Sequence, residues 1–538
     1  MWVLRRAILV LALLSGTVSM AADANDIEVL ALNETFSRDH LAEGQSVAFL
    51  LPVEPGDYLK GKLQTASGRV TLDLTTREGR HLRRLLDDAS GASEFQFVAE
   101  DGEVVLRALA LAETTGLDLA LTWKVTPEEQ TPAAAGFLSP TIERLSKSLE
   151  AGGDTTEFWR EMSERGTPLI EPRDDGKVLA TFLWRGARKN VRLFGSPSGD
   201  HENLERLGLS DVWFKSFVVP NDTRLSYQLA PDVPDVPGTA RERRVAILST
   251  AKEDPLNRQP WPADGMDRFN RDSVLELSAA PPQPFLEEEG APKGTLQRFM
   301  LASASLGNTR EITVYRPAGF DPNDPKNLLL FVFDAADTLT KIPTPTVLDN
   351  MIARRIIPPT VAVFIANPGA EARGRELPAN PVFADFMAAE LLPRVLRETG
   401  MRPSAERTVL AGASYGGLAA MTVALRHPQA FGNVLSMSGS YWWSPPDTPE
   451  DRRNHVAWRL ANEPVPQLRF FLSAGRFEIG ASRGVASILD TNRHVRDVLL
   501  AKGSQVFYRE YSGGHDYLIW RGALSDGLVA LFGKGSGY

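Results

Sequence analysis

The segment Gly412-Ala413-Ser414-Tyr415-Gly416-Gly417 sets a hydroxyl among small residues in a G-x-S-x-G arrangement. An apolar run, Thr408 to Ala411, leads straight into it, and a helical pattern from Leu418 to Arg426 follows. The serine therefore stands where a strand turns sharply into a helix, a junction that lifts its hydroxyl to the C-terminal edge of a sheet. There the backbone N–H of Tyr415 opens the helix and can donate to an oxygen that gains negative charge. A serine hydroxyl is a weak nucleophile until a base takes its proton. Of the seven histidines, His515 stands in Ser512-Gly513-Gly514-His515-Asp516, just after the strand pattern Val506 to Tyr511. That is the loop position a general base requires. His427, His455 and His494 read instead as solvated or capping residues.

A third group has to orient the imidazole. Glu478 follows the strand and turn Phe470-Phe471-Leu472-Ser473-Ala474-Gly475 and is the candidate carboxylate. Asp490 and Asp516 are the alternatives, the first in or near the next helix and the second adjacent to the base in sequence. The loop after the strand ending at Phe333, Asp334-Ala335-Ala336-Asp337, is placed to supply a second oxyanion donor through the N–H of Ala335. This set attacks an acyl carbonyl through a covalent intermediate and calls for no metal or organic cofactor.

These residues need a rigid support. From about Thr295 onward, continuous apolar runs such as Leu328 to Phe333, Thr360 to Ile365, Asn433 to Met437 and Arg469 to Leu472 alternate with longer helical patterns. Strands without polar alternation are buried on both faces, so helices must cover each side of a largely parallel sheet. The expected fold class is α/β, with an α/β-hydrolase catalytic domain over 295–538 preceded by two β-sandwich-like domains. The first, over 26–126, shows short alternating runs such as Val70-Thr71-Leu72-Asp73-Leu74, broken by turn signals such as Pro55-Gly56-Asp57. A Pro- and Thr-containing linker, Thr126 to Ala135, separates it from the second, over 139–285. A loop-like connection is expected from about Ala251 to Gly294.

The N-terminus begins Met1-Trp2-Val3-Leu4-Arg5-Arg6, continues as an apolar run from Ala7 to Leu14 and reaches small residues at Ser19-Met20-Ala21-Ala22. This is the layout of a secretory signal peptide over 1–21, with cleavage near Ala21 or Ala22. The run is shorter than the ~20 apolar residues that span a bilayer, so no stable membrane insertion is expected after cleavage. A periplasmic or secreted location follows. The chain has no cysteine, which excludes disulfides, thiolate metal sites and a cysteine nucleophile. Its net charge of -9 gives no electrostatic footprint for nucleic acid.

Gly412 to Leu418, with His427-Pro428, Phe431-Gly432 and Leu435-Ser436-Met437-Ser438-Gly439-Ser440-Tyr441-Trp442-Trp443, resembles the enterochelin (enterobactin) esterase family. So do Gly513 to Asp516 with Trp520-Arg521, and Arg373 with Glu376-Leu377-Pro378 and Asn380. Upstream, Phe182 to Arg185 and Asp254-Pro255-Leu256-Asn257 look like pieces of that family's N-terminal β-sandwich. The resemblance covers about Ser139 to Phe532, and the first sandwich, which is similar to the pre-peptidase C-terminal type of accessory domain, lies outside it. The resemblance implies hydrolysis of the trilactone of a catecholate siderophore, with or without its iron, and gives Ser414, His515 and Glu478 the triad roles. Ala413, Tyr415 and Ala335 depart from the family's usual residues. Trp442 and Trp443 offer flat faces to catechol rings, and Arg373 and Arg521 offer positive charge to an anionic ligand. Two other readings stay open here: an esterase for feruloyl or acetyl groups on polysaccharides, and a hydrolase scaffold that only binds.

Overall fold

The computed structural model describes residues 27–130, 136–173, 175–197, 201–480 and 487–533. The expected signal peptide over 1–21 lies outside the described residues. Two compact units are present, Met1–Gly136 and Phe137–Tyr538.

In the first unit, two antiparallel sheets of five and four strands face one another, apart from one short parallel pairing at an edge. Alternation builds the core: Leu59, Leu63, Phe95, Phe97, Leu106, Ala108, Leu117, Leu119 and Leu121 all point inward, while the residues between them face outward or sideways.

The second unit opens with another pair of four-stranded sheets. One contains Lys177–Arg185 paired antiparallel with Val212–Pro220. The other contains Val191–Gly195, Arg224–Pro231 and Asp272–Glu276. Between them lie Phe182, Val191, Leu193, Leu225, Tyr227 and Leu275. Helices Pro140–Glu150 and Thr156–Arg165 cover the outer face of the first sheet through Ile142, Phe158, Trp159 and Met162. Strand Asp272–Glu276 corrects the loop expected from Ala251 to Gly294: four of its residues pair with Arg224 to Tyr227. The segment Asp254 to Asn257 is pinned beneath it. Tyr227 Oη donates to Asp254 at 2.8 Å, and the Asn257 amide donates to the carbonyls of Thr167 and Val274 at 2.7 and 3.0 Å.

The rest of this unit is an α/β domain around one eight-stranded sheet. Its strands are β1 (Thr295–Ser303), β2 (Asn308–Arg316), β3 (Leu328–Phe333), β4 (Thr360–Ile365), β5 (Thr408–Ala413), β6 (Asn433–Met437), β7 (Arg469–Gly475) and β8 (Gln505–Tyr511). The spatial order is β1-β2-β4-β3-β5-β6-β7-β8. β1 and β2 are antiparallel neighbours, and every pairing from β4 to β8 is parallel. Alternate residues of one strand enter opposite cores. Leu329, Phe331 and Phe333 face one layer, Leu330 and Val332 the other. Helix Tyr415–Arg426 covers the first face, and helices Thr344–Ala353 and Tyr517–Phe532 cover the second. Both faces are therefore dry, which is why these strands carry no polar alternation. This is an α/β-hydrolase-like fold, and the C-terminal ends of its parallel strands, β3 to β8, lie at one edge.

Candidate active site

Ser414 closes β5 with φ 58° and ψ −122°, a backbone conformation disfavoured for a residue with a side chain. Its neighbours hold it there. The Ser414 N–H donates to the Met437 carbonyl at 3.0 Å, and the Ser440 N–H donates to the Ser414 carbonyl at 3.1 Å, so the turn is tied to the end of β6. A Cβ on Gly412 would lie 2.5 Å from the Gly416 backbone, and one on Gly417 would lie 2.5 Å from Ser436 Oγ. Only glycine lets strand, turn and helix approach this closely. Ser414 Oγ lies 3.3 Å from Ser440 Oγ.

His515 follows β8 at the same edge of the sheet. Its Nδ1 is 2.5 Å from Glu478 Oε1, and the glutamate side chain is 2% exposed against 38% for the imidazole. The other glutamate oxygen accepts from Ser438 Oγ at 2.8 Å and from the Gly475 N–H at 2.6 Å. Ser438 in turn accepts from Trp520 Nε1 at 2.9 Å, and the Trp520 ring stands edge-on to the imidazole, 4.7 Å between centroids. A buried carboxylate with this many donors is held in one orientation, and where it accepts from Nδ1–H it leaves Nε2 of the imidazole to accept. Asp490 and Asp516 do not share this position. Asp490 bonds Ser487 at the start of its helix, and Asp516 caps helix Tyr517–Phe532. No hydrogen bond joins Ser414 to His515 among the described residues; the Ser414 hydroxyl pairs with Ser440 Oγ instead.

Ala335 begins helix Ala335–Thr340, next to β5 at the end of β3, after Asp334 in a left-handed conformation at φ 59°. The N–H groups of Ala335 and Tyr415 each belong to the first turn of a helix and lack an intrahelical acceptor. The Asp334 carboxylate is gripped by Arg373 through two bonds of 2.7 and 2.9 Å and by the Asn367 amide at 2.6 Å. The Arg373 guanidinium also lies over the Tyr415 ring at 5.7 Å. Arg373 thus joins the two candidate oxyanion turns and is not presented as a free cation to ligand.

His515 and Glu478 open into a cavity of about 540 Å³ that the second sandwich and the α/β domain wall together. Trp442 lines it, and Trp443 does not. Trp443 turns away to pack on the core and meets His455 edge-on at 6.4 Å. Arg521 is likewise set back, its Nε donating to Gln283 at 2.8 Å and its guanidinium lying over Trp261, which does line the cavity. Trp443, Arg373 and Arg521, expected to face ligand, are therefore placed against protein partners and off this cavity's wall.

Known proteins bear on this geometry. Residues 303–531 match the family model described as "Putative esterase", and residues 179–286 match "Enterochelin esterase, N-terminal". An iron(III) enterobactin esterase of Dickeya dadantii is 33% identical over 440 residues, covering 74% of this chain and 96% of that protein. The chain belongs to the enterochelin esterase family. An iron(III) salmochelin esterase of Escherichia coli is 31% identical to this family member, over 73% of it and 98% of the relative. A crystal structure of the enterobactin esterase of Shigella flexneri, in the presence of enterobactin, superposes with a TM-score of 0.56 at 30% identity, covering 70% of this enterochelin esterase family member and 97% of that chain. The protein is a serine carboxylic-ester hydrolase by family.

In this esterase the cavity also contains residues that the pattern of the sequence does not single out. Phe194, Trp261 and Asp272 come from the second sandwich, and Lys341 and Tyr517 from the α/β domain. Burial, then the nearby Asp516 charge, pushes the Asp272 carboxyl up to about 7, with Lys341 and the Ser226 hydroxyl opposing. Only the pairing of Asp272–Glu276 with its neighbour strand brings this carboxyl to the site, and a Pro-rich stretch carries no such signal in one dimension. Ser438 and Trp520 are also part of the machinery. Their role depends on a strand end and a helix that meet only in the fold.

Proposed function

We propose that this chain hydrolyses the ester bonds of a catecholate siderophore trilactone of the enterobactin type, with Ser414 as nucleophile and His515 as general base. The observation that carries the reading is the Glu478–His515 pair of 2.5 Å, standing on the sheet edge where Ser414 is held in its strained turn, in a chain whose relatives are named enterobactin and salmochelin esterases. His515 Nε2 takes the Ser414 proton as Oγ bonds to the ester carbonyl carbon. The N–H groups of Tyr415 and Ala335 hold the resulting oxyanion, each donor supplying ~3 kcal/mol. The tetrahedral centre collapses, the alcohol leaves with the proton from His515, and a water repeats the sequence on the acyl-enzyme. Glu478 holds the imidazolium formed at each stage. Trp442 offers a face to a catechol ring at the cavity wall.

The leader-like N-terminus supports action outside the inner membrane, where cutting the trilactone destroys the chelate effect and eases iron release. The esterase reading for feruloyl or acetyl groups has no comparable support in the named relatives. Mass spectrometry after incubation with cyclic and linear catecholate esters tests the substrate: stepwise linear products are expected, and none with Ser414→Ala. Unaltered trilactone under the wild-type enzyme would sink the siderophore reading. Export is tested by sequencing the mature N-terminus, which is expected just after Ala21 or Ala22.

A further inference from the structure

The cavity at His515 is unbalanced in charge. Its described walls carry the acids Glu478, Asp516 and Asp272 against one ammonium, Lys341, and the imidazoles of His201 and His515. Glu478 is consumed by its three donors, and Asp516 accepts the N–H groups of Ser226 and Leu518 at 2.6 and 2.8 Å. Lys341 is drawn to Asp337 at 3.1 Å and lies over the Tyr517 ring. Tyr517 itself donates to Asp337, and Tyr227 to Asp254. Asp272 differs from the other two acids: among the described residues it has no ion pair and takes no backbone N–H. It is the first residue of its strand, opposite Trp261, so it stands at the rim of the sandwich wall where a ligand seated over His515 would lie.

A catecholate ligand comes in two charge states. Free catechols are un-ionised near neutral pH and carry hydroxyl donors. Three catecholates around a ferric ion have given up those protons and carry a net negative charge, so their oxygens only accept.

We propose that Asp272 is the residue by which the cavity distinguishes these two forms: protonated, it donates to an anionic catecholate; ionised, it accepts from a catechol hydroxyl and repels the ferric complex. This rests on the siderophore reading above and adds to it a choice of charge state that varies with pH. The surroundings place that choice in the physiological range, because burial and the Asp516 carboxylate hold the proton on while Lys341 helps release it.

The test is the ratio of KM for ferric to KM for metal-free enterobactin-type trilactone, measured from about pH 5.5 to about pH 8.5. For the wild type the ratio is expected to rise on the order of tenfold through neutrality. In Asp272→Asn the rise is expected to vanish, and in Asp272→Glu to return, with the kcat ratio little changed in either. The ligand's own ionisation is common to all three proteins, so the difference between their curves isolates the side chain. Lys341→Met provides a second readout that leaves Asp272 in place: the rise is expected at higher pH. A ratio that climbs equally in wild type and Asp272→Asn, or whose midpoint ignores Lys341→Met, overturns the proposal while trilactone turnover stands. Wild type that cleaves p-nitrophenyl acetate but neither trilactone removes the siderophore reading and this inference with it.

Discussion

Glu478 shows how one side chain makes a weak base effective. Its carboxylate fixes which imidazole nitrogen carries the proton, and an amide of the same shape would lose that control by offering N–H where an acceptor is needed. Glu478→Gln is expected to lower kcat about 100- to 10,000-fold with little change in KM, as measured in steady-state hydrolysis of a soluble ester. Asp272 illustrates the opposite case, an acid whose ionisation the fold resists. With its folded value raised to about 7 from an ordinary 3.8, the native state holds a proton that the unfolded chain releases. Stability from this group is therefore full below its unfolded value and is lost as pH climbs from there through about 7. Asp272→Asn, which cannot ionise, is expected to match wild type at low pH and to exceed it by on the order of 4 kcal/mol at pH 8. Thermal melts at both pH values check this, and an equal difference at the two would refute the shift.

At the scale of elements, the loop that carries His515 is built against the second sandwich. The Arg224 N–H donates to the Ser512 carbonyl at 3.0 Å, and the Ser226 N–H donates to Asp516 at 2.6 Å, on either side of the histidine. The pair Gly513-Gly514 has a packing cause. A Cβ on Gly513 would lie 2.6 Å from the Arg224 carbonyl, and one on Gly514 would overlap the Ser196 hydroxyl and lie 2.9 Å from its Cβ. Small displacements of a catalytic group are costly, so Gly514→Ala is expected to reduce kcat about 10- to 100-fold. Adding Ser196→Gly, which removes the obstructing atoms, is expected to restore most of it. A double mutant no better than Gly514→Ala would show that the steric account is wrong.

For the whole molecule, the two compact units suggest a division of labour. The first has its own closed core, and the named relatives, matched over 96% to 98% of their lengths, align with only about three quarters of this chain. Removing residues up to 136 is expected to leave kcat/KM for a trilactone within about twofold, since every described residue that lines the cavity belongs to the second unit. Loss of turnover in a truncated chain that still melts cooperatively would give the first unit a direct part in catalysis. The second sandwich is a different matter, because it both backs the histidine loop and walls the cavity.

What the sequence determined by itself is whatever a local pattern encodes. Unbroken apolar runs marked the buried strands, since a strand dry on both faces needs no polar residue. The glycines around Ser414 marked the sharp turn, because a side chain there has no room. Glu478 was legible only as a carboxylate in the right loop, with Asp490 and Asp516 as rivals. The tertiary structure alone decided among contacts made by residues far apart in the chain. It turned Trp443 into the core, drew Arg373 to Asp334 and Arg521 to Gln283, and made the stretch around Asp272 a strand that delivers a carboxyl to the cavity. The physical reason is that a charge or an aromatic face is satisfied by its nearest partner in space, and one-dimensional spacing records only neighbours along the chain.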